Sequence, residues 1–278
     1  MSYLSGFKTA PFELYSTSTA SGGVVNSDAA LATMVGSKFT SGDGREFVLV
    51  QNGAAALIAG NVIQSPAVVS ANFVGLSPAT TSTTGYAASL GPIAAAIGGK
   101  VIQLATGATA VLANEFAGGY LNVVESTGLG QTMKIASNTA ASTTSAFSVT
   151  LEDPFTTATA STSRYTLTLN PYGSKNGTAL TTHGVIVVPA TTMTGVPIGI
   201  TCYPIPASTS TVLSYGFIQT KGFVAVAAGA TVALGLDVGV PDDTAGQVLT
   251  YAVATGTRVG TVVVASADAK HNMINVQL

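Results

Sequence analysis

The sequence predicts an all-β fold, a sandwich or jelly-roll-like barrel with an extended N-terminal arm and little helix. Three observations carry that prediction. Phe147-Ser148-Val149-Thr150-Leu151 and Tyr165-Thr166-Leu167-Thr168-Leu169 are apolar at every second position, the period of a strand with one buried face. Short apolar runs punctuated by Gly, Pro, Asn and Asp recur at the spacing of sandwiches and barrels. No segment carries the 3.6-residue periodicity of a long amphipathic helix. With 278 residues the chain can bury a sizeable core without disulfides.

In chain order, residues 1–42 are rich in Ser, Thr and Gly and suit an extended arm. Within them Asn26-Ser27-Asp28 offers cap residues ahead of Leu31, Met34 and Val35, whose spacing fits one or two helical turns. Gly42-Asp43-Gly44 is a turn, and residues 46–51 form an apolar strand. Asn52-Gly53 then predicts a two-residue hairpin leading into residues 54–59 and 61–64. The same spacing separates Gly53 from Gly60 and Gly222 from Gly229, each behind an apolar strand, so segments 46–60 and 217–229 are candidate partners. Residues 66–99 turn to Ser, Thr, Ala and Gly and mark a loop or boundary. There Pro92 is placed to open a helical turn over residues 93–97 that Gly98-Gly99 ends.

A strand over residues 100–104 precedes the most regular part of the chain, a β-meander over residues 118–169. Residues 120–125 and 131–135 flank a glycine-rich loop at residues 126–130, and the open edge of this meander is the expected subunit contact. Residues 171–177 break it with turn formers. Strands follow over residues 185–188, 196–203, 215–220, 231–236, 247–253, 261–265 and 273–278. The resulting division is an N-terminal arm, 1–42, and a β domain, 43–278, divisible into subdomains 43–100 with 176–278, and 101–175.

Ten basic and twelve acidic residues make 8% of the chain, against about 25% in an ordinary domain, and the formal net charge is −2. Nucleic acid and acidic membranes, which need a basic face, are not expected partners. No charged residue occurs over residues 47–99 or 176–220. A surface so poor in ions and rich in Ala, Gly and Val is expected to be covered in an assembly. No apolar run approaches the ~20 residues of a membrane span. The start of the chain lacks the basic and apolar stretches of a signal peptide, which predicts synthesis in the cytoplasm without export.

The residues that usually carry chemistry are sparse and scattered, and no catalytic, cofactor-binding or metal-ligating residue is assigned. His183 and His271 lack neighbouring ligands at metal spacing. Glu152-Asp153 and Asp242-Asp243 are adjacent in sequence, so in a strand they point to opposite faces, unlike the facing carboxylates of a glycosidase. Both lie beside turns, where a Ca²⁺ site is the alternative. Asn176-Gly177-Thr178 matches a glycosylation sequon but is read as a turn. Nucleotide-binding glycine motifs and the nucleophile elbow are absent. Cys202, the one cysteine, is expected to be a buried, inert thiol. Tyr86, Tyr172, Tyr203 and Tyr215 are the candidate stacking faces for a sugar.

The combination Phe116-Ala117-Gly118-Gly119-Tyr120-Leu121-Asn122-Val123-Val124, Gly128-Leu129-Gly130-Gln131-Thr132-Met133-Lys134-Ile135 and Val149-Thr150-Leu151-Glu152-Asp153-Pro154 resembles virion structural proteins of tailed bacteriophages. Gly216-Phe217-Ile218-Gln219-Thr220-Lys221-Gly222, with the Ala/Gly/Val run after it, is similar to small β-barrel capsid cement proteins. The resemblance implies a non-enzymatic decoration protein on the capsid surface of the virion, made in the host cytoplasm. It further implies a homotrimer at local threefold positions, bound to the major capsid protein and needing no cofactor. A tail or baseplate component and a glycan-binding surface module are the alternatives.

Overall fold

The computed structural model describes residues 24–25, 29–66, 73–78, 93–175, 183–209, 212–240, 244–251, 256–265 and 271–278. Among them are sixteen strands and one helix of six residues, so the fold is all-β. The chain divides into two compact units: Met1–Pro66 with Pro171–Gly173 and Gly177–Leu278, and Ala67–Asn170 with Ser174–Asn176.

The first unit is built on its longest strand. Its strands are β1 (Val24–Val25), β2 (Lys38–Thr40), β3 (Glu46–Gln51), β4 (Val62–Gln64), β10 (Ile186–Val187), β11 (Pro197–Thr201), β12 (Ser214–Ala227), β13 (Asp237–Val240), β14 (Leu249–Thr250), β15 (Thr257–Val264) and β16 (His271–Gln277). The N-terminal half of β12 pairs antiparallel with β3, from Tyr215 opposite Gln51 to Lys221 opposite Glu46. Its C-terminal half pairs with β16, from Lys221 opposite Gln277 to Ala227 opposite His271. Each half belongs to a hydrogen-bonded ring. The first runs β3, β12, β11, β4, β10 and closes where Val185, just before β10, bridges Asn52, just after β3. The second runs β12, β16, β15, β13, β14 and closes where Val248 bridges Ala228.

Side-chain alternation fills both rings. Val48, Val50, Ile63, Ile198, Ile205 and Ile218 pack inside the first. Val224, Val226, Val238, Val259, Val262 and Ile274 pack inside the second. The opposite faces are covered too. Phe47, Leu49, Tyr215 and Phe217 lie under α1 (Ala29–Met34), which buries Leu31, Ala32 and the following Val35 against them. Burial on both faces is why Phe47-Val48-Leu49-Val50 is continuously apolar rather than alternating.

The second unit holds β5 (Val101–Ala105), β6 (Tyr120–Glu125), β7 (Thr132–Asn138), β8 (Ala146–Leu151) and β9 (Arg164–Leu167), in the order β5-β8-β7-β6-β9. The expected hairpin forms: Tyr120, Leu121 and Asn122 face Lys134, Met133 and Thr132, and the loop between them holds Ser126, Gly128 and Gly130 at positive φ. The strands over residues 147–152 and 165–169 are not neighbours, however. β9 returns to pair with β6, so β9-β6-β7-β8 is a Greek key rather than a continued meander. Nor is the outer edge open. Leu76 exchanges backbone hydrogen bonds with Tyr165 in β9, and Pro78 bridges Leu104 in β5, which closes this sheet as well. Its interior is aromatic, with Phe73, Phe116, Phe147, Phe155 and Tyr165 buried.

Three local expectations are corrected. Asn52-Gly53 makes no hairpin turn: neither residue has positive φ, and both exchange hydrogen bonds with distant segments. Residues 93–97 form no helix, because Ala95 gives its N–H to the Thr159 hydroxyl and its carbonyl to the Thr159 N–H. Residues 231–236 carry a turn at Gly235, with β13 starting at Asp237. The expected pairing of segments 46–60 and 217–229 does occur, as β3 on β12 and as Ala227 N–H donating to Gly60 O at 2.8 Å. Asn26-Ser27-Asp28, Pro92 and Asn176-Gly177-Thr178 lie outside the described residues.

Candidate functional site

In the first unit the ends of four strands surround a hollow of about 240 Å³. Arg45 enters it from the residue before β3, Cys202 from the residue after β11, Gln219 and Phe223 from β12, and His271 from the start of β16, with Gly60 beside them. Two glycines give the charged and imidazole groups their room. Gly60 has φ +84°, and a Cβ there would stand 2.9 Å from the His271 ring. Gly222 has φ +91°, and its Cβ would stand 2.9 Å from Cγ of Arg45. L side chains rarely adopt that backbone conformation, so both positions admit a neighbour that any other residue would push away.

The floor is closed by internal hydrogen bonds. Gln219 Nε2 donates to the carbonyls of Lys221 at 2.9 Å and Phe223 at 3.0 Å, which turns Oε1 toward Cys202 Sγ, its donor at 3.5 Å. Thr201 Oγ1 donates to the Ile58 carbonyl and accepts from Asn61 N–H. Burial pushes the Cys202 thiol up to about 11, with Arg45 pulling weakly the other way. The thiol is therefore protonated at neutral pH and a poor nucleophile. Arg45 donates Nε–H to Asp43 Oδ2 at 2.7 Å and holds its guanidinium 5.5 Å over the Phe47 ring. The hydrogen bonds from Arg45 hold the Asp43 carboxyl below its ordinary range.

The other residues singled out by type are dispersed. His183 is half-buried. Glu152 pairs with Lys134 at 3.0 Å and accepts Lys100 Nζ on its backbone carbonyl, within the second unit. Asp242 and Asp243 lie outside the described residues. No group of three or more His, Cys, Asp or Glu among the described residues is arranged to hold a metal. The tyrosines do not form a sugar platform: Tyr215 is 1% exposed in the core, and Tyr203 accepts Phe217 N–H. Burial pushes the Tyr203 phenol well above its usual value. Tyr172 packs half-buried against the core, and Tyr86 lies outside the described residues. Sequence reasoning missed the hollow because its groups come from strands far apart in the chain; the glycine pair at 60 and 222 was the one trace of it.

One outer surface stands apart. Ala225 on β12 faces Met273 on β16, which faces Val264 on β15, and Phe223 lies two residues from Ala225 on the same side. Phe223, Val264 and Met273 are 59%, 54% and 44% exposed. An apolar row thus crosses three adjacent strands next to the hollow. No helix among the described residues is long and apolar enough to cross a membrane. No family model, curated protein or solved structure matches the chain.

Proposed function

We propose that this chain is a structural virion protein that decorates and stabilises the capsid shell of a tailed phage, as a homotrimer seated on the major capsid protein. The observation that carries the reading is the apolar row of Phe223, Ala225, Met273 and Val264 on the outer face of the second ring. Burying such a face is worth roughly 25 cal/mol per Å² of apolar area, and the contact holds without ions. The closed rings add to the argument. With both rings of the first unit and the sheet of the second bridged, most of their strands offer a partner side-chain faces rather than free edges, which resists open-ended strand addition. The scarcity of charge and the resemblance to cement proteins point the same way.

Attachment through apolar faces survives salt, whereas ionic attachment is screened within a few ångströms at ~1 M. Purified protein added to undecorated heads is expected to stay bound through a wash at ~1 M salt. Release of most copies by that wash, or no binding to heads, overturns the reading. Copy number separates it from the tail or baseplate alternative: hundreds per virion for the head, a few dozen for the tail. Met273→Glu, which puts a charge in the middle of the row, is expected to abolish attachment while leaving the fold intact.

A further inference from the structure

We propose that the hollow between Arg45, Gly60, Cys202 and His271 is a binding site for a short aliphatic carboxylate. The proposal rests on which polar groups of the hollow are already used and which are not. The Gln219 amide, the Thr201 hydroxyl and the Cys202 thiol are all engaged in hydrogen bonds within the wall. Arg45 spends Nε–H on Asp43, and among the described residues its terminal N–H groups meet no hydrogen-bond acceptor. His271 brings an imidazole to the same space, its ring seated against Gly60. The hollow therefore offers the Arg45 guanidinium and a ring N–H of His271 as donors, and no carboxylate is among the residues that line it.

The rest of the lining is apolar, with Ala59 and the β12 stretch Phe223-Val224-Ala225 bordering the hollow. A ligand matched to this wall carries an oxyanion at one end and a few methylene groups behind it. A guanidinium binds a carboxylate through two parallel hydrogen bonds, and a ring N–H of an imidazole adds a third donor. A volume of about 240 Å³ suits a molecule of several heavy atoms rather than a nucleotide or sugar chain. The two glycines explain why the site needs this backbone: side chains at positions 60 or 222 would displace His271 or Arg45.

The chain has two histidines, so the imidazole proton resonances of the full-length protein can be assigned with a single His271→Gln variant. Titration with butyrate is expected to shift the His271 resonance saturably, leaving His183 in place. Arg45→Gln is expected to weaken binding roughly tenfold or more, the worth of a hydrogen bond to a charged group. The remaining resonances of that variant report whether it is folded. Arg45→Lys keeps the charge and loses the fork, and should fall between the two. Butanol at the same concentrations tests the ionic half, and inorganic phosphate tests the apolar half. A butanol shift equal to that of butyrate, phosphate binding as tightly as butyrate, or an unchanged titration in folded Arg45→Gln each overturns the site as assigned. The decoration role does not enter these measurements, so failure here leaves the capsid assay standing on its own.

Discussion

The two units solve the same problem, a closed sheet around a dry interior, with different materials. The second unit is nearly contiguous in sequence, and its ring encloses Phe73, Phe116, Phe147, Phe155 and Tyr165. Phe73 meets Phe116 edge-to-face at 4.8 Å, and Phe116 stacks on Phe147 at 6.5 Å. The first unit is assembled from distant segments, and the interior of its second ring is built from valine and isoleucine. In the second unit aromatic rings sit among aliphatic side chains such as Ile102, Leu104, Leu121 and Ile135, whereas the first unit's second ring is filled by small, mostly β-branched side chains. Each large ring is therefore expected to matter more than any single valine.

The largest test of that contrast is truncation of one side chain on each side. Phe147→Ala empties a fully buried site beside Phe116 and is expected to cost about 3–5 kcal/mol. Val226→Ala removes two methyl groups from a crowded aliphatic interior, and its expected cost is about half that. Urea denaturation of both variants measures the difference. Equal costs would mean that a large ring matters no more than a single valine.

A middle-sized effect probes ring closure, a backbone bridge in both units that in the first is flanked by one buried polar side chain. Asn52 is buried, and its Nδ2 donates to Ala55 O at 2.8 Å and Pro206 O at 2.6 Å, while its backbone carries the bridge to Val185. Asn52→Ala leaves those carbonyls without their donor, at an expected cost of about 2 kcal/mol. The residues that bridge the second unit's sheet, Leu76 and Pro78, carry apolar side chains, so Leu76→Val, which keeps the bridge and strands no polar group, should cost less than Asn52→Ala. Hydrogen exchange should speed up at Val185 and Gly53 in the Asn52 variant and stay slow at Tyr165.

What the sequence made legible follows the same division. The hairpin around residues 126–130 and the sequence alternation of β8 and β9 were readable because each is local, although β8 buries Ser148 as well as its apolar face. The all-β class and the kinship of segments 46–60 and 217–229 were readable for the same reason. The return of β9 to β6 was not, since alternation is identical whichever neighbour a strand takes. Asn52-Gly53 misled because a side chain that reaches Pro206 competes with the turn those two residues favour in isolation. The hollow was hidden more deeply. Arg45, Cys202 and His271 have no spacing in common, and only the pairing of β3, β12 and β16 brings them together.

The smallest expected effect sets one titrating group of each unit against the other by pH. Burial raises the Cys202 thiol from its ordinary 9.0 to about 11 in the folded chain, and the unfolded chain ionises at the ordinary value. Above pH 9 the unfolded state therefore loses a proton that the folded state keeps, and stability falls as pH rises. Integrated from pH 9 to 10, the thiol's share of the loss is on the order of 1 kcal/mol, and the buried Tyr203 and Tyr165 phenols, raised above their ordinary 10.0, add to it in the same direction as pH nears 10. Lys175, in the second unit, works in the opposite direction. Burial there, with Lys134 nearby, lowers the ammonium below its ordinary 10.5, so deprotonation in the folded state favours folding as pH climbs. Urea midpoints between pH 8 and 10 should fall for the natural chain. The slope should flatten in Cys202→Ala, which has no thiol to ionise, and steepen in Lys175→Met, which has lost the opposing group. A Cys202→Ala slope as steep as the natural one would place the alkaline sensitivity outside the first unit's hollow.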